Sequence, residues 1–125
     1  MKIQVEQVVN NIVYFTTKYG RGRAIWKESD KLEEKEYFAE FDIDTVYKYD
    51  DINLSSTKEY QIKIYNDQNL LTMLFIEYDE SGCATFRWGE SIVEIETVYD
   101  ERFMTLLNLY VTIIVETLNI YNENP

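Results

Sequence analysis

Apolar and polar side chains alternate at every second residue along most of this chain, which is the pattern of β-strands with one buried face. The strictest run spans 36–44, where four apolar residues alternate with four acidic residues and Phe38. The run at 70–78 is apolar on both faces, which is typical of a strand covered on both sides. Segments 66–69 and 79–82 are rich in Asn, Asp or Gly and are typical of turns. The pattern therefore predicts an antiparallel β domain.

The apolar segment 103–121 fits two interpretations. Its β-branched run at 111–115 favours a strand, and alternate apolar residues there would share one face. Its polar residues recur at steps of three or four, which is a narrow polar stripe on a helix, and Asp100 is a suitable N-cap. We predict a helix for this segment. Because such a helix is apolar on most sides, any uncovered part would favour a homodimer through this C-terminal segment.

These elements together predict a mainly β fold of the α+β class. It consists of an antiparallel, curled sheet or partly open barrel, closed on one side by the single C-terminal helix. At 125 residues, with 46% hydrophobic residues, the chain is expected to form a single domain over residues 1–125 with one core.

The cysteine content and the N-terminal sequence indicate the cellular compartment. Cys83 is the only cysteine, so no disulfide forms within the chain, as expected in a reducing compartment. The N-terminal residues do not follow the pattern of a secretory signal, and polar residues interrupt the apolar run 103–121. We therefore expect a cytoplasmic protein that does not enter a membrane.

Catalytic residue sets are scarce in this sequence. The chain contains no histidine, which excludes Ser-His-Asp and Cys-His catalysis and histidine-based metal sites. Phosphate-binding glycine motifs are also missing. Acid pairs such as Glu40 with Asp42 resemble general acid/base pairs, but they alternate outward from an apolar face and fit a solvated surface better. We predict a protein that is not an enzyme and uses no cofactor.

Two charged clusters have alternative interpretations. Asp42 and Asp44, with the acids at 50–51, offer oxygen ligands to a hard cation, yet their spacing does not follow a calcium loop, and a solvated acidic loop is favoured. The basic residues of the hairpin at 18–27 surround an aromatic residue, as in phosphate-backbone binding. Against a net charge of −11 they are a weak footprint, so we expect them to pair with nearby acids and expect no direct nucleic-acid binding.

The acidic residues are concentrated in two segments. Segment 28–51 holds ten acids against three bases, and segment 77–101 holds eight acids against one base. Alternate carboxylates on a strand lie about 7 Å apart, and such rows cost stability by repulsion. One interpretation is protection of edge strands and solubility. The other is a surface that binds a basic protein, with Phe38 as an apolar anchor. The candidate partner-binding residues are Glu36, Phe38, Glu40, Asp42, Asp44, Glu94 and Glu96.

Two stretches carry a resemblance to a known group of proteins. Residues 21–44 (RGRAIWKESDKLEEKEYFAEFDID) and 86–96 (FRWGESIVEIE) are similar to strand-turn-strand stretches of the small acidic immunity proteins paired with bacterial secreted toxins. The resemblance implies a cytoplasmic, antitoxin-like protein that binds one cognate basic toxin domain, such as a nuclease, and blocks its active site or substrate path. Small acidic phage-encoded inhibitors of nucleases look similar on the same grounds. No individual site residue is carried over from either group.

A second hypothesis belongs to another functional class. The aromatic residues Tyr14, Tyr60, Phe86 and Trp88 would line the interior of a β-barrel that encloses a small molecule. A sizeable apolar cavity would favour that hypothesis, and a filled interior would argue against it.

Overall fold

The structure, a computed structural model, describes residues 1–29, 32–33 and 35–123. Within these residues the chain forms eleven strands and two short 3₁₀ turns, so the prediction of a mainly β fold is confirmed. The strands are β1 (Lys2–Val9), β2 (Ile12–Thr17), β3 (Gly20–Trp26), β4 (Glu36–Ile43), β5 (Ile52–Leu54), β6 (Gln61–Tyr65), β7 (Gln68–Tyr78), β8 (Cys83–Trp88), β9 (Ser91–Glu96), β10 (Tyr110–Val115) and β11 (Leu118–Asn122). The 3₁₀ turns are Tyr49–Asp51 and Glu101–Leu106.

Five strands close into a barrel in the order β1-β2-β3-β11-β4. Four of the five pairings are antiparallel. The fifth joins β11 to β3 in parallel, with Asn119 beside Ile25 and Ile120 beside Trp26. The last strand of the chain therefore closes a sheet that is built mainly from its first forty-three residues.

The remaining strands extend outward from the barrel. β7 is the longest of them and pairs with β6, β8 and β10, while β5 continues beyond β10 and β9 beyond β8. This outer sheet joins the barrel where Gly20 of β3 meets Ile62 of β6. Gly20 has a φ of 132°, and a Cβ there would lie 2.0 Å from the carbonyl oxygen of Ile62. Glycine is therefore required at this junction.

Aromatic side chains from both parts fill one continuous core. The Phe41 ring of the barrel lies 5.0 Å from Trp88 of the outer sheet and 5.8 Å from Phe15. Phe75 packs edge-on against Phe86 at 4.9 Å between ring centroids. The alternation in the sequence matches these positions, because Ala39 and Ile43 are buried while their neighbours on β4 face outward.

The predicted C-terminal helix over 103–121 is wrong. Asp100 does cap a turn, since its side chain accepts a hydrogen bond from the Arg102 N–H, but the 3₁₀ turn ends at Leu106 and two strands follow. Asn108 adopts a φ of 66° and redirects the chain into β10. β10 then lies between β5 and β7, where its β-branched residues suit a pleated strand buried on one face. Tertiary pairing thus outweighs the helical spacing of the polar residues.

The strand geometry also changes the basis of the expected homodimer. The apolar side chains Val111, Ile113 and Val115 of β10 and Leu118 and Ile120 of β11 are buried within the chain itself. The homodimer prediction depended on an uncovered apolar helix, and this segment forms no such helix. In the part of the chain that the structure describes, no helix has the length and apolar character needed to cross a membrane.

We expect Ile120→Ala to destabilise the protein by about 2–5 kcal/mol, because the fully buried Ile120 closes the barrel and its truncation leaves a cavity. The matched control is Ile114→Ala on β10, where the side chain is 47% exposed and the loss should stay below about 1 kcal/mol. Urea unfolding followed by circular dichroism measures both values. Equal losses would contradict the position of β11 in the core.

Candidate functional site: an acidic groove between two strands

Strands β4 and β9 lie beside each other although about fifty residues separate them in the sequence. Their continuations are tied by two backbone hydrogen bonds, from Tyr47 N–H to the Glu96 carbonyl at 3.0 Å and from Val98 N–H to the Tyr47 carbonyl at 2.8 Å. The Phe41–Trp88 ring contact holds the two parts together farther along. Between these two contacts, β4 and β9 are not paired by backbone hydrogen bonds among the described residues. A surface groove, which we call the β4–β9 groove, therefore runs along the two strands.

The end of the groove near the tie is strongly acidic. This part is a depression of about 520 Å³, lined by carboxylates of both strands and by residues at the start of β8 and in the turn before it. The two acidic rows of the sequence are thus brought together here. The lining residues are Asp42, Ile43, Asp44, Ser81, Cys83, Glu94, Ile95, Glu96 and Thr97.

The other end of the groove combines acidic and apolar groups. It is a depression of about 600 Å³ in which Phe38, 50% exposed, and Ile92, 52% exposed, lie near Glu40 and Glu90. This position agrees with the expectation that Phe38 is an exposed apolar side chain within an acidic row. The lining residues are Met1, Phe38, Ala39, Glu40, Phe41, Glu90, Ser91, Ile92 and Glu123.

Glu36 is the one predicted site residue that lines neither depression. Its carboxylate lies 3.2 Å from the Lys2 ammonium on the neighbouring strand β1. Both side chains are about half exposed, so this ion pair is a surface pair of small energetic value. The structure thus brings six of the seven predicted residues together and leaves Glu36 at the far end of β4.

Asp42 of β4 and Asp44, which directly follows the strand, form a close acidic pair. Partial burial, followed by the hydrogen bond and the charge of Asp44, raises the pKa of Asp42 above its ordinary value. Opposing contributions come from the Asn119 amide and the Ile43 N–H. Asn119, which is buried, also donates a 2.7 Å hydrogen bond to Asp44 Oδ2. The barrel wall therefore holds two carboxylates close together, and this arrangement disfavours the charged form of Asp42.

The side chain of Tyr47 supports the backbone hydrogen bonds that join the continuations of β4 and β9. Its hydroxyl donates a 2.7 Å hydrogen bond to the carbonyl of Ile114 on β10. Burial raises the pKa of Tyr47 to about 12, so the hydroxyl keeps its proton and remains a donor at neutral pH. The junction between the β4 extension and the outer sheet is therefore insensitive to ordinary changes of pH.

Cys83 borders the acidic end without the character of a nucleophile. The thiol is half-buried, and burial together with the charges of Glu94 and Asp79 raises its pKa. The thiol therefore stays protonated at neutral pH, and a protonated thiol is a weak nucleophile. Among the described residues, no group of three or more acidic or cysteine side chains is arranged to hold a metal ion.

The basic hairpin between β2 and β3 contacts acids, as expected from the sequence. The Arg21 Nε lies 2.6 Å from Glu6 Oε2, and the Lys18 ammonium lies 4.0 Å from Glu90. The Arg23 guanidinium donates to the carbonyl of Asp67 and lies over the Tyr14 ring. These contacts tie the hairpin to its own domain.

The four aromatic residues of the ligand-binding hypothesis do not surround a common space. Phe86 and Trp88 are fully buried and pack against other rings of the core. Tyr14 lies beneath the arginines of the hairpin, and the half-buried Tyr60 packs edge-on against Tyr19 and at a tilt against Tyr110.

Sequence reasoning missed several residues of the groove. Ser81 enters it from the turn before β8, Cys83 enters it as the first residue of β8, and Glu123 enters it because β11 pairs with β4. No local pattern marks these residues, since their positions follow from long-range pairing. Ile92 carried a local signal, because it is the apolar member of the otherwise acidic outward row of β9.

Comparisons of the chain with protein-family models, with curated proteins and with solved structures found no match.

We expect Asp42→Asn to raise the free energy of unfolding near pH 7. Because the folded state raises the pKa of Asp42, it binds the proton more tightly than the unfolded state, and stability falls as pH rises through and above the unfolded value of 3.8. The gain should therefore shrink as the pH is lowered to about 3. Urea titrations at both pH values measure it.

The control for this experiment is Glu40→Gln, which removes one charge from the same row. Among the described residues, the Glu40 side chain has no ion-pair partner and no hydrogen-bond partner. A gain for Asp42→Asn that persists unchanged at low pH would show that the Asp42 charge is not the cause.

Proposed function

We propose that the protein is a non-catalytic inhibitor of the immunity type, which binds a basic toxin domain, such as a nuclease, in the cytoplasm. The observation that carries the proposal is the β4–β9 groove, where carboxylates from two distant segments line one surface. Among the described residues, Glu40, Asp42, Asp44, Glu94 and Glu96 form no ion pair within the chain.

Unpaired like charges that are held together weaken the fold that carries them. Burial raises the pKa of Asp42 most, and the hydrogen bond and the charge of Asp44 raise it further, so the repulsion contributes only part of the increase. A basic partner would supply the missing counter-charges and turn the repulsion into attraction on binding. The same surface would steer the partner, since electrostatic complementarity raises association rates from about 10⁵–10⁶ to 10⁸–10⁹ M⁻¹s⁻¹ at low salt.

The apolar groups of the groove would slow the dissociation of a bound partner, which surface charge alone does little to change. Charges at the rim of an interface mainly affect the association rate, whereas buried anchors slow dissociation. Phe38 and Ile92 are about half exposed among the acids and would become buried under a bound partner. A nuclease is a suitable partner class because its substrate path is basic, and an acidic inhibitor would occupy the phosphate positions.

The direct test captures the products of adjacent genes on the tagged protein at moderate salt. We expect one basic protein in stoichiometric amount, toxic when expressed alone and inactive when the inhibitor is added. A captured protein whose activity is unchanged by saturating amounts of the inhibitor would contradict the proposal.

With that partner in hand, we expect the double variant Glu40→Lys/Glu94→Lys to lower the association rate constant about 10- to 100-fold at low salt. The effect should diminish at about 1 M salt, where the Debye length is about 3 Å. Stopped-flow or surface plasmon resonance measures the rate.

The matched control is Glu59→Lys/Glu101→Lys, which changes the net charge equally at exposed sites outside the groove. If both double variants slow association to the same extent, the total charge would be responsible and the groove would not be the interface.

A further inference from the structure

A row of side chains leaves the apolar end of the groove and crosses the outward face of the outer sheet. Ile92, on the wall of the groove, lies opposite Arg87 of β8. On its other side Arg87 lies opposite Leu74 of β7, and Leu74 lies opposite Tyr110 of β10. Residues directly opposite each other in paired strands point to the same face. The four side chains therefore form one continuous band, which we call the cross-strand row.

The composition of the cross-strand row differs from that of its neighbour on the same face. The neighbouring row is acidic, since Glu94 and Glu77 lie on either side of Thr85. In the cross-strand row, the two residues nearest the groove are exposed and the other two are half-buried. Arginine and aromatic side chains are the residue types that contribute most to protein interfaces. The row therefore has the composition of an interface centre and adjoins the groove directly.

Three tyrosine rings pack beside the cross-strand row. The Tyr60 ring lies 5.6 Å from that of Tyr110 and 5.5 Å from that of Tyr19, measured between centroids. Burial and the neighbouring Tyr110 raise the pKa of Tyr60, whereas the charge of Arg87 lowers it, so the guanidinium acts on this cluster. Tyr19 packs against the β8–β9 loop, where a Cβ on Gly89 would collide with its ring. The rings therefore fix the row against the barrel before any partner binds.

Arg87 is the one base of the acidic segment 77–101, and among the described residues it forms no ion pair. Arg21 and Arg102, in contrast, each pair with an acid of the chain. A wholly basic partner that covered the groove and the cross-strand row would meet a like charge at Arg87, and such a contact lowers affinity. A carboxylate at that point would instead accept two parallel hydrogen bonds from the guanidinium.

We propose that the basic partner also covers the cross-strand row and places an Asp or Glu side chain against the Arg87 guanidinium. The proposal rests on the proposed function and specifies how that partner is oriented. The acidic end of the groove binds bases of the partner, and Arg87, beyond the other end, binds an acid. Because the two ends require opposite charges, the partner fits in one direction only. Ile92 and Leu74 become buried beneath it and contribute the apolar contacts.

The test uses the protein captured on the tagged chain and the variant Arg87→Gln. We expect this variant to bind about tenfold more weakly, because the partner's carboxylate loses its counter-charge. The matched control is Lys63→Gln, which removes the same charge from an exposed site of β6 outside the row and the groove. For the control we expect equal or slightly faster association, since the chain becomes more acidic. Surface plasmon resonance measures both, with urea midpoints as the check on folding.

The sign of the Arg87→Gln effect decides the proposal. Tighter binding, or binding equal to that of Lys63→Gln, would show that Arg87 meets no acid and would overturn it. The proposed function would survive that result, because inhibition of the captured toxin decides it separately. If no protein is captured, this proposal fails together with the proposed function.

Two further measurements separate direct contact from an indirect effect. On binding we expect the methyl NMR signals of Leu74 and Ile92 to shift, while that of Ile114 stays unchanged, since Ile114 lies on the same face of β10 but outside the row. The variant Arg87→Glu should bind weakly, and replacement of one acidic residue of the partner by lysine should restore most of the affinity. Unchanged Leu74 and Ile92 signals, or no restoration by any such replacement, would overturn the proposal.

Discussion

The closure of the barrel by β11 is the constraint on which the other features depend. Within the described part of the chain, it is the one strand that pairs with both β3, in parallel, and β4, in antiparallel register. Three of its five residues, Leu118, Asn119 and Ile120, are buried, and Asn119 also donates a hydrogen bond to Asp44, which directly follows β4. With β4 fixed in this way, Phe41 can pack on Trp88, and the outer sheet is held close enough for β9 to face β4.

The groove is thus a product of two packing units rather than of one local motif. Rings of the barrel and of the outer sheet meet beneath the groove, while its rim carries charges that repel one another. The energy gained by burying the rings offsets the repulsion. A surface of this kind is preorganised, because the charges are held together before any partner arrives. That distinguishes it from acidic tails, which must lose conformational entropy on binding.

Local chemistry predicted most of the strands but not how they meet. The alternation at 36–44 correctly predicted that Ala39 and Ile43 are buried. Successive side chains of a strand point to opposite faces, so once one face is buried, the inward residues are determined. The segment after Asp100 was misassigned, since its polar spacing suits a helix while its burial between β5 and β7 depends on residues far away in the sequence. For the same reason the acids of β4 and β9 were recognised as candidates, whereas their meeting in one groove, and the entry of Ser81 and Glu123, required the three-dimensional pairing.

Because β11 follows β4 far along the sequence, the order of these strands has a consequence for synthesis on the ribosome. Until residues 118–122 emerge, the edge of β4 that β11 later covers is open to any other strand, including that of a second nascent copy. If β4 is already extended in this interval, the carboxylates of Glu40 and Asp42 on it, and of Asp44 just after it, would repel an identical acidic strand. The same row of charge that marks the mature surface therefore also guards the growing polypeptide against pairing with itself.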